Sequence, residues 1–127
     1  MSGITPSQTV GPWFAYGLTP KGQYDWSDLA TGNLITPDVA GDRIRIEGVV
    51  RDGDGAPMPD AMIEIWQADG QGRLAMRGEG PASNASFKGF GRAPTDLQGL
   101  FSFDTVKPGA IPAPDGKPQA PHILVAV

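Results

Sequence analysis

The amino-acid sequence predicts an all-β protein folded as a β-sandwich, on three observations. Apolar and polar residues alternate in several short segments, which is the period of a strand with one buried face. The 18 glycines and 13 prolines are spread along the 127 residues, where they would end each strand in a turn. No window of about eleven residues keeps a helical apolar face free of glycine and proline. Short strands of this kind pack as two layers around one core.

Residues 1–41 are predicted to form an irregular N-terminal arm, and residues 42–127 a β-sandwich core. The arm keeps neither the strand period nor the helix period, and at most one short helical turn is expected, at residues 26–29. Aromatic side chains bury large areas, so we expect the arm to lie against the core or a partner. Its aromatic residues are Trp13, Phe14, Tyr16, Tyr24 and Trp26.

The first half of the core predicts two clear strands. Residues 44–50 alternate isoleucine and valine with charged residues, and the Asp-Gly repeat at 52–55 then favours a turn. Residues 62–67 form the second strand, which ends where glycines make a tight reversal favourable, at 69–72. Residues 73–76 are predicted to continue as a short strand.

The second half predicts a third and a fourth strand separated by loops. The glycine-rich segment 78–92 is interpreted as a long surface loop. Phe101 and Phe103 mark the third strand, and the five prolines of segment 107–121 predict an extended loop. Residues 122–127 are an apolar run of strand length, and an end inside a buried-strand pattern is what a fragment of a longer protein would show.

Composition excludes several classes of function. The net charge of −4 and the pI of about 4.7 disfavour nucleic-acid binding, which needs clustered lysine and arginine. The absence of cysteine excludes disulfides, thiolate catalysis and sulfur-ligated zinc. No secretion signal and no membrane-spanning apolar stretch is present, so a cytoplasmic protein without a membrane partner is expected.

Three segments, in the same order, resemble the intradiol ring-cleavage dioxygenases. They are residues 5–13, residues 48–73 with the Glu-Ile-Trp-Gln-Ala-Asp run at 64–69, and residues 87–123 with Lys-Pro-Gly at 107–109. Each segment alone is unspecific, but their combination and order are specific. Within the family, the chain is most similar to the α chain of the members that act on protocatechuate.

The resemblance implies a β-sandwich core and a hetero-oligomer of α chains with a catalytic β chain. It also implies intradiol cleavage of protocatechuate, a small aromatic substrate, by O2 to 3-carboxy-cis,cis-muconate. In the family, the β chain holds Fe(3+) through two tyrosinates and two histidines. Phenolates are hard anionic ligands that stabilise the ferric ion, which activates the bound catecholate.

This sequence departs from that ligand set. His122 falls at the first position of the family's His-x-His pair, but the second position is Leu124, and Ile111 replaces the tyrosine that follows Lys-Pro-Gly. The chain has one histidine, and no tyrosine follows Tyr24. The resemblance therefore implies that Fe(3+) is bound by the partner β chain and not by this chain. We expect no metal site and no catalytic residue here, and no activity from this chain alone.

The resemblance assigns a substrate-binding role to the arm, at Thr9, Pro12 and Trp13. In the family, this part of the α chain lies near the substrate at the interface between the α and β chains. Trp13 stands where a tyrosine is common, which removes a hydroxyl and adds a larger ring. An interface clamp without substrate contact is the alternative for the same residues.

Other conspicuous residues have structural interpretations. His122 is interpreted as a structural residue at the start of a strand, and Trp66 with the two phenylalanines of the third strand as core packing. Glu64 is interpreted as solvent-facing, with an ion pair to Arg92 as the alternative. The arginines of the first strand are expected to form a solvated or interface surface: Arg43, Arg45 and Arg51.

Two other functions fit part of the pattern. A prealbumin-like binding module without enzymatic activity would share the strands and turns of the core but would have no use for the arm. A one-chain intradiol dioxygenase acting on hydroxyquinol or catechol would need further residues to complete a metal site, and the missing tyrosines argue against it.

Overall fold

A computed structural model describes residues 3, 6–7, 9, 17–19, 30–75 and 87–127 of the chain. The regular elements bounded within these residues are strands, which confirms the all-β prediction. They are β1 (Arg43–Val49), β2 (Met62–Gln67), β3 (Phe90–Pro94), β4 (Leu100–Val106), β5 (Ile111–Pro112), β6 (Pro118–Gln119) and β7 (Ile123–Ala126). The helical turn predicted at 26–29 lies outside the described residues. No helix in the described part of the chain is long and apolar enough to cross a membrane.

Two antiparallel sheets enclose the core. One sheet pairs β1 with β4, and the other has the order β3-β2-β7. A small hairpin of β5 and β6 interrupts the proline-rich segment that was predicted to be an extended loop. The core cluster draws its residues from both sheets and from the segments beside them: Leu34, Ile63, Ile65, Phe87, Ala93, Phe103 and Val106.

Residues 31–34 close one flank of the sandwich. The Leu34 N–H donates to the Asp104 carbonyl at 2.8 Å, and the Arg92 N–H donates to the Thr31 carbonyl at 3.1 Å. This segment therefore joins the free edges of β4 and β3, and it buries the Leu34 side chain between the sheets. The boundary between arm and core at residue 41 stays a prediction.

The loop prediction for residues 78–92 is wrong at its C-terminal end, where β3 begins at Phe90. Phe90 pairs with Trp66, and Gly91 with Ile65, so this strand is stabilised by its neighbour rather than by its own β propensity. A Cβ at Gly91 would lie 2.5 Å from the Leu34 side chain, which explains why glycine occupies a strand interior here. Residues 78–86 lie outside the described residues.

The short strand predicted at 73–76 is also wrong for residues 73–75, which belong to no strand; Met76 lies outside the described residues. The Arg73 N–H donates to the Asp69 carboxylate at 2.9 Å, and the Arg73 carbonyl accepts from the Asp69 N–H at 2.9 Å. Because the turn already uses the N–H and carbonyl of Arg73, neither group is available to pair with a neighbouring strand.

Gln67 connects the two sheets through the interior. Its side chain is buried, and its amide donates to the Val106 carbonyl at 2.8 Å and the Ala68 carbonyl at 3.0 Å. Its carbonyl oxygen accepts from the Thr105 hydroxyl at 2.8 Å. A polar side chain at a core-facing strand position is thus fully used, and it fixes how β2 lies against β4.

Candidate functional site on the outer face of the three-stranded sheet

The outer face of the β3-β2-β7 sheet carries two rows of side chains. The register places Phe90, Trp66 and Leu124 side by side across the three strands, one from each. Arg92 and Glu64 form the next row on the same face, two residues along β3 and β2. We call these five residues the outer-face site.

Arg92 and Glu64 form an ion pair within this site. The guanidinium donates two hydrogen bonds to Glu64 Oε1, at 2.8 Å from Nε and 2.6 Å from Nη2. Their side chains are 18% and 28% exposed, so the pair is partly withdrawn from water. The solvent-facing interpretation of Glu64 is therefore wrong, and the alternative, a pair with Arg92, is confirmed.

Arg92 also ties the arm to the sheet. Its Nη1 donates to the Leu18 carbonyl at 3.4 Å, and its guanidinium carbon lies 5.7 Å from the centre of the Phe90 ring. A cation over an aromatic face is attracted by the ring's negative face. One side chain thus holds β2, β3 and the described turn of the arm at the same place.

Trp66 lies outside the core, contrary to the prediction. Because Ile63 and Ile65 occupy the inward positions of β2, the alternation of the strand turns Trp66 outward. It is 38% exposed and packs against Phe90, with the ring centres 6.3 Å apart. Of the two phenylalanines predicted in the core, Phe103 is fully buried and Phe101 is partly buried against the same cluster.

Strand β7 extends the site to the edge of the sheet. It pairs only with β2 among the described residues, and Leu124 is 59% exposed. The strand prediction for this segment is confirmed, but Leu124 and Val125 are not buried as the apolar run suggested.

Of the metal-ligand positions of the resemblance, His122 and Leu124 lie at the β7 edge of this sheet, whereas Ile111 lies in β5. His122 directly precedes β7, and its Nδ1 lies 2.7 Å from the Ala120 carbonyl, an acceptor that fixes the proton on Nδ1. Leu124 and Ile111 carry no donor atom. No group of three or more histidine, cysteine or acidic side chains in the described part of the chain can hold a metal ion. Of the three positions His122, Leu124 and Ile111, only His122 therefore offers an atom that can ligate a metal ion.

The arm residues with a predicted substrate role are placed only in part. Thr9 is exposed, while Pro12 and Trp13 lie outside the described residues. The role of all three stays a prediction.

Asp69, at the end of the Glu-Ile-Trp-Gln-Ala-Asp run, anchors the turn that follows β2. Burial raises the pKa of this carboxyl, but hydrogen bonds from the Arg73 and Gln71 N–H groups and the Arg73 side chain outweigh burial and lower it. Arg73 Nη2 lies 2.7 Å from Asp69 Oδ2. The sequence analysis assigned no role to Asp69 and Gln67. Polar residues at the end of a strand and in the turn after it could have indicated side chains that hydrogen-bond to nearby backbone.

The two-sheet core, the arm tied to its outer face and the order of the motifs define the class of protein. The chain belongs to the intradiol dioxygenase family, since the family model described as "Dioxygenase" matches residues 11–126. It is 45% identical over 126 residues to the protocatechuate 3,4-dioxygenase alpha chain of Burkholderia cepacia, and 35% identical over 131 residues to that of Pseudomonas putida. Each match covers 97% of this chain and 61% of the relative, so the chain spans less than two thirds of their length.

Similarity extends to other members of the family. The protocatechuate 3,4-dioxygenase beta chain of Burkholderia cepacia is 34% identical over 99 residues, covering 76% of this chain and 42% of the relative. Among solved structures, the dioxygenase domain of a dioxygenase–carbohydrate-binding fusion from Streptomyces sp. SirexAA-E superposes with a TM-score of 0.61 at 26% identity. That match covers 95% of this chain and 64% of the other.

Proposed function

We propose that this chain is the iron-free α-type chain of a protocatechuate 3,4-dioxygenase. In this proposal, a β-type chain binds Fe(3+) and cleaves protocatechuate with O2 to 3-carboxy-cis,cis-muconate, in a cytoplasmic hetero-oligomer. Two observations together carry this proposal. The chain is similar to an α chain over 97% of its length, and of the iron-ligand positions that the resemblance implies, only His122 holds a ligating side chain.

The side chains at the metal-ligand positions of the resemblance support an iron-free role for this chain. Leu124 and Ile111 leave a ferric ion without the second imidazole and the phenolate that the resemblance requires. The Nδ1 of His122 is engaged by the Ala120 carbonyl, so one ring nitrogen remains for any ligand role. A single neutral imidazole is a poor site for Fe(3+), which favours anionic oxygen ligands. The same deficit argues against a one-chain enzyme for hydroxyquinol or catechol.

The arm supplies the proposed substrate contact. Thr9, Pro12 and Trp13 would border the pocket of the β-type chain, where the Thr9 hydroxyl and the Trp13 N–H can hydrogen-bond to a polar aromatic ligand. The contact between Arg92 and the Leu18 carbonyl supports an arm held against the sheet rather than free in solvent.

The test is expression of the chain alone and together with the β-type chain of the same organism. The isolated chain is expected to contain no stoichiometric iron, to lack the tyrosinate-to-iron colour and to consume no O2 with protocatechuate. The complex is expected to contain iron, to show this colour and to consume O2 with protocatechuate. Iron bound in stoichiometric amount by the isolated chain, with that colour, overturns the proposal. Failure of the two chains to associate favours the prealbumin-like binding module instead.

A variant of the arm tests the substrate role separately. In the complex, Trp13→Ala is expected to raise KM for protocatechuate with little change in iron content. An unchanged KM together with weaker association of the two chains would instead establish the interface clamp.

A further inference from the structure

Arg92 contacts the arm at two points. Its side-chain Nη1 donates to the Leu18 carbonyl at 3.4 Å, and its backbone N–H donates to the Thr31 carbonyl at 3.1 Å. Residues 20–29, which lie between these two points, are outside the described residues. One residue of β3 therefore holds the arm on both sides of that segment, once through its side chain and once through its backbone.

Glu64 and Phe90 fix the orientation of the Arg92 guanidinium. Nε and Nη2 both donate to Glu64 Oε1, at 2.8 Å and 2.6 Å, and the guanidinium carbon lies 5.7 Å from the centre of the Phe90 ring. Because the guanidinium is planar and rigid, holding two of its nitrogens also fixes the direction of the third. The third nitrogen is Nη1, which contacts Leu18.

The Arg92 side chain is also partly withdrawn from water. It is 18% exposed, whereas the side chains of the paired residues Arg45 and Arg73 are 58% and 63% exposed. Water competes less for a donor with low exposure, and a hydrogen bond from a charged donor is stronger than one between neutral groups. The contact with the Leu18 carbonyl is therefore better protected than a contact from either exposed arginine would be.

The pair with Glu64 is not needed to join the two strands that carry it. Backbone pairing already joins β2 to β3 from Met62 opposite Pro94 to Trp66 opposite Phe90. What the Arg92 side chain adds to this ladder is the contact with the arm. A lysine at this position could keep an ion pair with Glu64, but its compact ammonium lacks the planar fork that serves Glu64 and the arm together.

We propose that Arg92 is a positioning residue for substrate binding, because it fixes the arm that carries Thr9, Pro12 and Trp13. The inference rests on the proposed function, which gives these three residues their contact with protocatechuate. Arg92 itself touches no substrate in this proposal. It acts through the Leu18 carbonyl, and Glu64 acts by orienting Arg92.

Limited digestion with trypsin measures the hold on the arm in the chain by itself. Lys21 is the only lysine or arginine among residues 1–42, so cleavage in this part of the chain reports on one bond close to Leu18. Arg92→Lys is expected to speed cleavage at Lys21 by about fivefold or more, because proteolysis follows the population of locally opened chain.

Steady-state kinetics of the complex with the β-type chain measure the positioning. Arg92→Lys is expected to raise KM for protocatechuate by about fivefold or more, with kcat and iron content close to those of the unmodified complex. Gln67→Leu is the matched control for lost stability, because the Gln67 side chain hydrogen-bonds between the sheets and not to Leu18. It should change neither the cleavage rate at Lys21 nor KM while the protein stays folded.

Activity of the unmodified complex separates the two proposals. If that complex cleaves protocatechuate and Arg92→Lys leaves KM unchanged, the positioning role is refuted and the proposed function stands, whether or not cleavage at Lys21 is faster. Equal changes in Gln67→Leu also refute the positioning role, since the effects then follow from lost stability. If the unmodified chain forms no active complex with the β-type chain, the proposed function fails and the positioning role fails with it.

Discussion

Arg92 on β3 donates hydrogen bonds from two nitrogens to one carboxylate oxygen of Glu64 on β2, and the two residues lie directly opposite each other in the β2–β3 pairing. Removing one member of a partly buried pair leaves the other charge without its counterion. Arg92→Met should therefore lower the free energy of unfolding by roughly 2 kcal/mol, measured by urea titration. Arg45→Met is the matched control, because Arg45 and Glu47 form an exposed pair, and it should cost about 0.5 kcal/mol or less. Equal losses would contradict the assigned difference in burial.

Gln67→Leu removes the polar connection between the sheets. It leaves the Thr105 hydroxyl and the Val106 carbonyl without their partner in the interior. Each unsatisfied buried group carries a desolvation cost, so a loss of roughly 2–3 kcal/mol in the free energy of unfolding is expected. The exposed neighbour substitution Gln71→Leu should change stability little. A neutral Gln67→Leu would show that the interior there is reached by water.

Asp69 should make stability depend on pH in acid. Its pKa is lower in the folded chain than in the unfolded one, so its contribution is fully present above the unfolded value of about 3.9. That contribution falls as the pH drops below this value and is lost once the folded carboxyl is protonated. Asp69→Asn should cost roughly 1 kcal/mol at neutral pH, because it removes the charged partner of Arg73. It should also remove the part of the acid-induced loss of stability that Asp69 causes. Urea titrations of both proteins from pH 7 to acid check this, and parallel acid limbs would contradict it.

Gly72 should not tolerate a side chain. Its φ is +78°, and a Cβ there would clash with the Ala110 carbonyl, while Gly109 packs against its backbone nitrogen. Gly72→Ala should therefore cost roughly 3 kcal/mol or more, since backbone strain and steric overlap add. Gly53→Ala is the control, because that position opens onto free space. Thermal unfolding followed by circular dichroism compares the two, and equal shifts would contradict the clash.

The sequence determined the parts of this fold that depend on local pattern. Alternation specified β1, β2 and β4, because a strand with one buried face repeats every two residues whatever lies around it. A continuous apolar run of strand length specified β7. The sequence also determined which side chains could ligate iron, because the single histidine and the absence of tyrosine after Tyr24 can be counted without coordinates. Motif order identified the family for the same reason.

Only the tertiary structure decided what depends on neighbours distant in sequence. Residues 90–94 form a strand because β2 offers them a ladder, although Gly89 directly before the strand and Gly91 within it weaken the local preference for a strand. The same pairing sets Glu64 against Arg92, and the inward isoleucines turn Trp66 outward. Local pattern gives the period of a strand, but its partners and the face it buries are set by contacts across the sandwich.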